Sequence, residues 1–229
     1  MVRFEGPLLK ATFEDRPNRF LGTVRVDDRR VSCYIPNPGR MEELLIPGTE
    51  VYLSEKASVH RKTSYDLVLV KKGGTLVSID SRIPNKFMAE FIEKGLIREF
   101  EGYGIGRQEY TFGESRLDFL LTRGAEKLFL EVKSCTLVVG GVALFPDAPT
   151  KRGSRHLRTL ISSLAQGRAS VAFVIQRDDA STLRPNEATD PVFAETIREA
   201  ERKGVEVYAY SSNVTLEGIT IKKRVQVNL

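Results

Sequence analysis

Two carboxylates and one ammonium lie close together in this chain: Asp118 within Leu117-Asp118-Phe119-Leu120-Leu121, and Glu131 and Lys133 within Leu128-Phe129-Leu130-Glu131-Val132-Lys133. Both apolar runs, rich in Leu, Phe and Val, read as strands. The polar, Gly-containing stretch from Thr122 to Lys127 reads as the hairpin loop between them. Side chains alternate across a strand, so Glu131 and Lys133 take one face while Leu130 and Val132 take the other. Asp118, near the start of the neighbouring strand, is placed to share the first face. Two carboxylates and an ammonium on one sheet face are costly to desolvate, which favours a chemical use. Carboxylate oxygens suit a hard divalent cation such as magnesium. A lysine beside that cation suits a phosphate or an attacking water. The plainer alternative is a solvated strand face carrying an ordinary Glu–Lys pair, because an acid followed by acid-x-lysine recurs by chance.

A second group of residues points to anions. Lys151, Arg152, Arg155, His156 and Arg158 form a basic run at the start of an expected helix. Cations and helix N-terminal amides together make a phosphate-backbone contact. The alternative is the solvated face of an amphipathic helix, but cations there oppose the helix dipole, which tilts the reading to function. His156 is one of two histidines in the chain, and beside an apolar stripe a structural role is favoured over a catalytic one. In the first third, Arg40 with His60, Arg61 and Lys62 forms a nucleic-acid groove of the kind small barrels carry. Asn37 and Gly39 beside Arg40 are explained by turn geometry alone. Tyr34 and Tyr65 serve either base stacking or packing.

The elements that must position these residues follow from periodicity. To about Ser81 the chain reads as short strands: Phe20–Val26 and Arg30–Ile35 around Asp27-Asp28, Val51–Ser54, then Tyr65–Val70 and Thr75–Ile79 around Gly73-Gly74. Five or so short strands with little helix make a small barrel, OB-like or SH3-like. Ile83-Pro84-Asn85 closes it, with Asn85 expected to cap a helix running to about Phe100. Strands are expected near Arg107–Phe112, Leu117–Leu121, Leu128–Ser134 and Leu137–Phe145, then a helix over Ser154–Ala165. Val171–Ile175 is apolar throughout, as in a strand buried on both faces. Asp190-Pro191 opens a last helix, Lys203-Gly204 closes it, and Val205–Tyr210 is a further strand.

With 229 residues the chain holds one large or two small domains. A hydrophobic share of 41% is that of a globular protein, and no apolar run approaches the roughly 20 residues of a membrane span. The first residues lack a signal-peptide core, so a cytoplasmic location is expected. Cys33 and Cys135 have no Cys-x-x-Cys arrangement, which argues against structural zinc. A net charge of +5 permits a polyanionic partner, and the halves on either side of Arg82 share it almost evenly.

At Asp118, Glu131 and Lys133 the chain resembles the PD-(D/E)XK nuclease superfamily. The wider text is similar to the sugar fermentation stimulation protein A family: Gly113-Glu114-Ser115-Arg116-Leu117-Asp118, Glu131-Val132-Lys133-Ser134-Cys135-Thr136-Leu137, Phe145-Pro146-Asp147-Ala148-Pro149-Thr150-Lys151-Arg152-Gly153, and in the front half Pro36-Asn37-Pro38-Gly39-Arg40-Met41. The resemblance implies an α/β protein, α+β overall: an OB-like β-barrel over residues 1–82 that binds nucleic acid, then a PD-(D/E)XK nuclease-like domain over 83–229. It implies a metal site of Asp118, Glu131, the backbone carbonyl of Val132 and an acid from the first core helix, Glu90, with magnesium or manganese as the ion. Glu109 matches an acid of the family's pattern, while neither its strand face nor that of Glu114 is fixed by the sequence. The expected activity is DNA binding, largely independent of sequence and with RNA as an alternative, together with metal-dependent phosphodiester hydrolysis by Asp118, Glu131 and Lys133. The competing expectation is a non-catalytic DNA-binding regulator of sugar metabolism, and a third is hydrolysis of another phosphate ester.

Overall fold

The computed structural model describes residues 1–56 and 61–229. Strands Arg29–Tyr34, Leu21–Val26, Leu8–Asn18, Glu50–Glu55 and Tyr65–Lys72 pair in that order, and a parallel bridge between Tyr34 and Asp66 closes them into a five-stranded, OB-like barrel. Thr75–Ser78 folds back on Tyr65–Lys72 through the expected turn, where Gly73 takes φ 57°. Phe13, Val24, Cys33, Val51, Leu53 and Leu67 fill the interior. Strand Leu8–Asn18 escapes the sequence reading because only Ala11 and Phe13 along it are buried and its pairing is interrupted by register shifts. Its period-2 signal is two residues long.

The rest of the chain is an α/β domain. Its seven-stranded sheet has the order Val2–Arg3, Gly218–Arg224, Glu206–Val214, Arg168–Ile175, Glu126–Cys135, Ser115–Arg123, Gly104–Phe112. Helix Ile83–Glu93 covers one face, setting Phe87, Met88 and Phe91 against Leu128, Leu130 and Val132. Helices Lys151–Ser163 and Pro191–Arg202 cover the other, setting Leu157, Leu160 and Phe193 against Phe129 and Phe173. Arg168–Ile175, parallel to both its neighbours, is buried on both sides as its composition predicts. Asp190 caps the last helix, accepting from Phe193 N at 2.9 Å, with Pro191 in its first turn.

Four expectations are corrected. Asn85 makes no cap; the helix begins at Ile83, with Pro84 in the first turn, so the Asn85 amide is free for another partner. The second helix begins at Lys151 rather than Ser154, because Thr150 caps it by accepting from Gly153 N at 3.0 Å. The expected strand Leu137–Phe145 is a hairpin, Val138–Val139 and Val142–Phe145, turned by Gly140 and Gly141 at φ 56° and 79°. It belongs to a separate small sheet with Thr182–Pro185 and Gln226–Val227. Lastly, a boundary at Arg82 does not capture the first strand: Val2–Arg3 pairs with Gly218 and Ile219 at the edge of the large sheet. Among the described residues no helix is long and apolar enough to cross a membrane.

Barrel and α/β domain touch through specific polar contacts. Ser78 N donates to the Gln176 carbonyl at 2.9 Å, and the Ser78 hydroxyl donates to Gln176 Oε1 at 2.9 Å. The barrel loop around Asn37–Met41 is held from within by the Arg16 guanidinium, which donates to the carbonyls of Arg19, Asn37 and Gly39 at 2.7, 3.2 and 2.9 Å and to that of Arg40. Hydrogen bonds from a charged donor contribute more than neutral ones. Arg16→Ala is therefore expected to destabilise the protein by about 2 kcal/mol, after allowing for water reaching the outer carbonyls. Urea unfolding checks this, and an unchanged midpoint would mean that the loop holds itself.

Candidate active site

The antiparallel pairing of Ser115–Arg123 with Glu126–Cys135 runs from Glu126 opposite Arg123 to Leu130 opposite Phe119. The ladder ends there, and just past its end Asp118 and Glu131 come close enough for their charges to act on each other. Here Val132 N donates to Asp118 Oδ2 at 2.7 Å, and Asn85 Nδ2, from the first helix, donates to Asp118 Oδ1 at 2.7 Å. Asp118 is fixed at both oxygens.

Glu131 is buried, at 3% exposure. Its Oε1 accepts from Lys133 Nζ at 2.5 Å and lies 2.5 Å from His156 Nδ1. Arg152 Nε donates to the other ring nitrogen of His156 at 3.3 Å. Glu131 Oε2 is buried with no hydrogen-bond partner among the described residues. A buried acceptor without a donor is costly, and here it lies on the side chain that the sequence assigns to a cation.

The two acids are shifted in opposite directions. Burial, then the neighbouring Glu131 charge, push Asp118 above the ordinary carboxylate range, against the hydrogen bond from Val132 and the Lys133 charge. Burial also pushes Glu131 up, but Lys133 and His156 outweigh it and hold Glu131 below that range. The site therefore contains one carboxylate whose charge its neighbours favour and one whose ionisation is opposed, an arrangement that a divalent cation would relieve.

Asp118, Glu131 and Lys133 converge, and two further residues join them. Asn85 orients Asp118 across 33 residues of sequence, and His156 meets Glu131 across 25. His156 does not face nucleic acid as expected: at 2% exposure it is turned inward onto Glu131. Its position at the inner edge of the amphipathic helix, beside Leu157, is the signal that marked it as buried. Val132 directs its side chain into the apolar cluster under the first helix and uses its amide to hold Asp118. Glu90 is not part of the site; its Oε1 accepts from Lys94 Nζ at 2.6 Å and from the Met1 α-ammonium at 3.0 Å. Glu109 is an exposed acid paired with Arg116 at 3.4 Å, and Glu114 lies in the following exposed turn.

Among the described residues no three His, Cys, Asp or Glu side chains converge to enclose a metal. Two carboxylates completed by water and substrate oxygens are the usual support for magnesium. Asp118 and Glu131, with its free Oε2, fit that requirement.

The expected cationic surfaces separate into free and committed residues. Lys151, Arg152, Arg155 and Arg158 are exposed along the outer side of helix Lys151–Ser163. On the barrel Arg40 and Lys62 are exposed. Arg61 is committed: it pairs with the buried Asp66 and lies 5.8 Å above the Tyr34 ring. His60 lies outside the described residues. Tyr34 stacks on the partly exposed Phe20 at 6.1 Å, and Tyr65 packs against the barrel core.

Comparison with known proteins bears on both halves. The family model described as the sugar fermentation stimulation protein RE domain matches residues 82–218, and that of the SfsA N-terminal OB domain matches residues 15–79. A sugar fermentation stimulation protein homolog of Moorella thermoacetica is 47% identical over 232 residues, covering all of both chains. One of Caldanaerobacter subterraneus subsp. tengcongensis is 46% identical over 226 residues, covering 98% of this chain and 99% of the relative. The solved structure of Pyrococcus furiosus SfsA in complex with Ca2+ superposes over the full length of both chains with a TM-score of 0.92 and 36% identity.

Proposed function

This chain belongs to the sugar fermentation stimulation protein family, and from that membership and the geometry at the hairpin we propose that it binds DNA and hydrolyses phosphodiester bonds with a divalent cation. The observation that carries the proposal is Glu131, whose Oε2 is buried and unpartnered, beside Lys133 and close enough to Asp118 for the two charges to act on each other. Asp118 and Glu131 would hold the cation, magnesium or manganese in this reading. The relative from Pyrococcus furiosus, solved in complex with Ca2+, supports a divalent ion as a ligand of this fold. When bound, such an ion supplies positive charge to the phosphate and lowers the pKa of a coordinated water.

The chain's own residues supply the rest. Asn85 and the Val132 amide fix the Asp118 rotamer, while His156 holds Glu131 in place from the helix behind it. Lys133 puts an ammonium at the carboxylates, where it stabilises charge that grows on a phosphate oxygen during attack. The exposed Lys151, Arg155 and Arg158 and the barrel's Arg40 and Lys62 would hold the phosphate backbone without reading bases.

One observation favours the non-catalytic alternative, a DNA-binding regulator: Lys133 is already an ion-pair partner of Glu131 at 2.5 Å, an arrangement that closes the site on itself. Incubating the purified protein with supercoiled plasmid, single-stranded DNA and RNA separates the two. Cleavage with magnesium or manganese that chelator abolishes is expected. Tight DNA binding without cleavage under either metal would leave the regulator. Binding itself is expected to weaken steeply as salt rises, because phosphate contacts release counterions. Titration of random-sequence duplex across salt concentrations measures this, and a salt-independent affinity would remove the backbone-contact account.

A further inference from the structure

We infer that the cleft between barrel and α/β domain receives a single unstacked nucleotide, so that the DNA this protein prefers carries a locally unpaired base. The inference rests on the DNA-binding reading above and names the substrate class of that same site. The cleft encloses about 340 Å³, within the size range of small-ligand sites. One wall is the chain directly after the candidate lysine: Ser134, which follows Lys133, then Cys135, Thr136 and Leu137. The cleft thus begins at the end of the strand that carries Glu131 and Lys133, although neither side chain lines it.

The chemistry of the walls suits a nucleobase. Pro38, Leu137, Leu144, Phe145 and Pro146 offer flat or apolar surface. Thr136 and Asp147 offer polar groups around it, beside Asn37, Ser81 and Ser134, whose side chains are already hydrogen-bonded within the protein. An aromatic heterocycle needs both, stacking on its faces and hydrogen bonds at its edge. The cleft is also built in advance. The Arg16 guanidinium pins the barrel loop, and Asn37 Nδ2 donates to the Ile79 carbonyl while its Oδ1 accepts from Gly39 N, both at 2.8 Å. Gly39 approaches Asp147 so closely that a Cβ there would lie 2.4 Å from Asp147 Oδ2. The far rim is Thr150, the cap of the helix whose first turns expose Lys151, Arg152 and Arg155. Those cations face the flanking phosphates of a strand that bends into the cleft. The two sequence blocks around Asn37–Gly39 and Phe145–Thr150, which hydrolysis does not use, thereby acquire a function.

The test is binding in chelator, where cleavage is silent. Two labelled duplexes are compared at one salt concentration, one fully paired and one with a single extra, unpaired nucleotide. Wild type is expected to bind the second about tenfold more tightly, since an unpaired base enters a pocket with little unstacking cost. Ala148→Trp and Leu137→Trp each fill the cleft from one side and neither touches the carboxylate site. Either one, if folded by circular dichroism and thermal melting, is expected to equalise the two affinities while the paired duplex binds as before. Equal affinities in wild type, or a preference that survives in a folded filled variant, overturn the inference. Cleavage scored separately with magnesium distinguishes the two readings. A preference without cleavage supports the cleft and removes the nuclease, whereas cleavage with equal affinities keeps the nuclease and removes the cleft.

Discussion

Lys133→Ala is expected to lower metal-dependent cleavage by about 10²–10³-fold, the range for removing one preorganised charge-stabilising donor, while DNA affinity changes by less than about twofold. Catalysis depends on a few placed charges, whereas binding is spread over many phosphate contacts on the helix and barrel. The substitution also breaks a buried pair. Glu131 keeps only His156 on Oε1, so the variant is expected to lose about 3 kcal/mol of stability. Assays must therefore run well below its melting temperature, with rates and affinities measured on the same folded sample. Cleavage that persists unchanged in the variant would assign the activity elsewhere.

Asp118→Asn is expected to do the opposite to stability. The folded protein holds Asp118 above the ordinary carboxylate range, through burial and then Glu131. A carboxylate whose folded pKa is raised favours folding in its protonated form, and that contribution is lost as pH rises through the folded value. Wherever Asp118 is ionised, wild type carries the penalty that a neutral, isosteric amide removes, and the variant is expected to be the more stable. The advantage should grow as pH rises through the Asp118 titration and vanish at low pH, where both side chains are neutral. Glu131 runs the other way: its lowered pKa contributes stability that is lost as pH falls through the folded value. Denaturant melts from acid to neutral pH check both signs, and a variant less stable than wild type at pH 7 would mean that Asp118 is structural.

The legibility of these features tracks the range of the interactions that make them. Glu131 and Lys133 share a face by strand alternation, a local rule that needs only two residues of spacing. Asp118 joins them through a tight hairpin turned at Gly124-Ala125, a two-residue loop that leaves little freedom in the register. The Asp190 cap and the Gly73 turn are equally local and stand where the sequence puts them. The partners of Asn85 and His156 come from tertiary packing, which no local pattern carries, although the buried, structural position of His156 is legible in its apolar neighbours. Asn85 has the right chemistry for a cap and the right place in the chain, but Pro84 already serves the first helical turn and the amide turns to Asp118 instead. Glu90 was expected at the site from family analogy. Its helical position sets it beside Lys94 and the α-ammonium, and that pairing depends on where the first strand, Val2–Arg3, docks. The same strand is too short to carry a pattern of its own.

The central claim is that Asp118 and Glu131 together hold one divalent cation. Titration of Mn2+ into the protein, followed by the loss of the free-ion electron paramagnetic resonance signal, measures it without DNA and without turnover. Wild type is expected to bind one ion, with Asp118→Asn and Glu131→Gln each weakening that binding by at least about tenfold and Glu90→Gln leaving it unchanged. Equal stoichiometry and affinity in wild type, Asp118→Asn and Glu131→Gln would contradict the account.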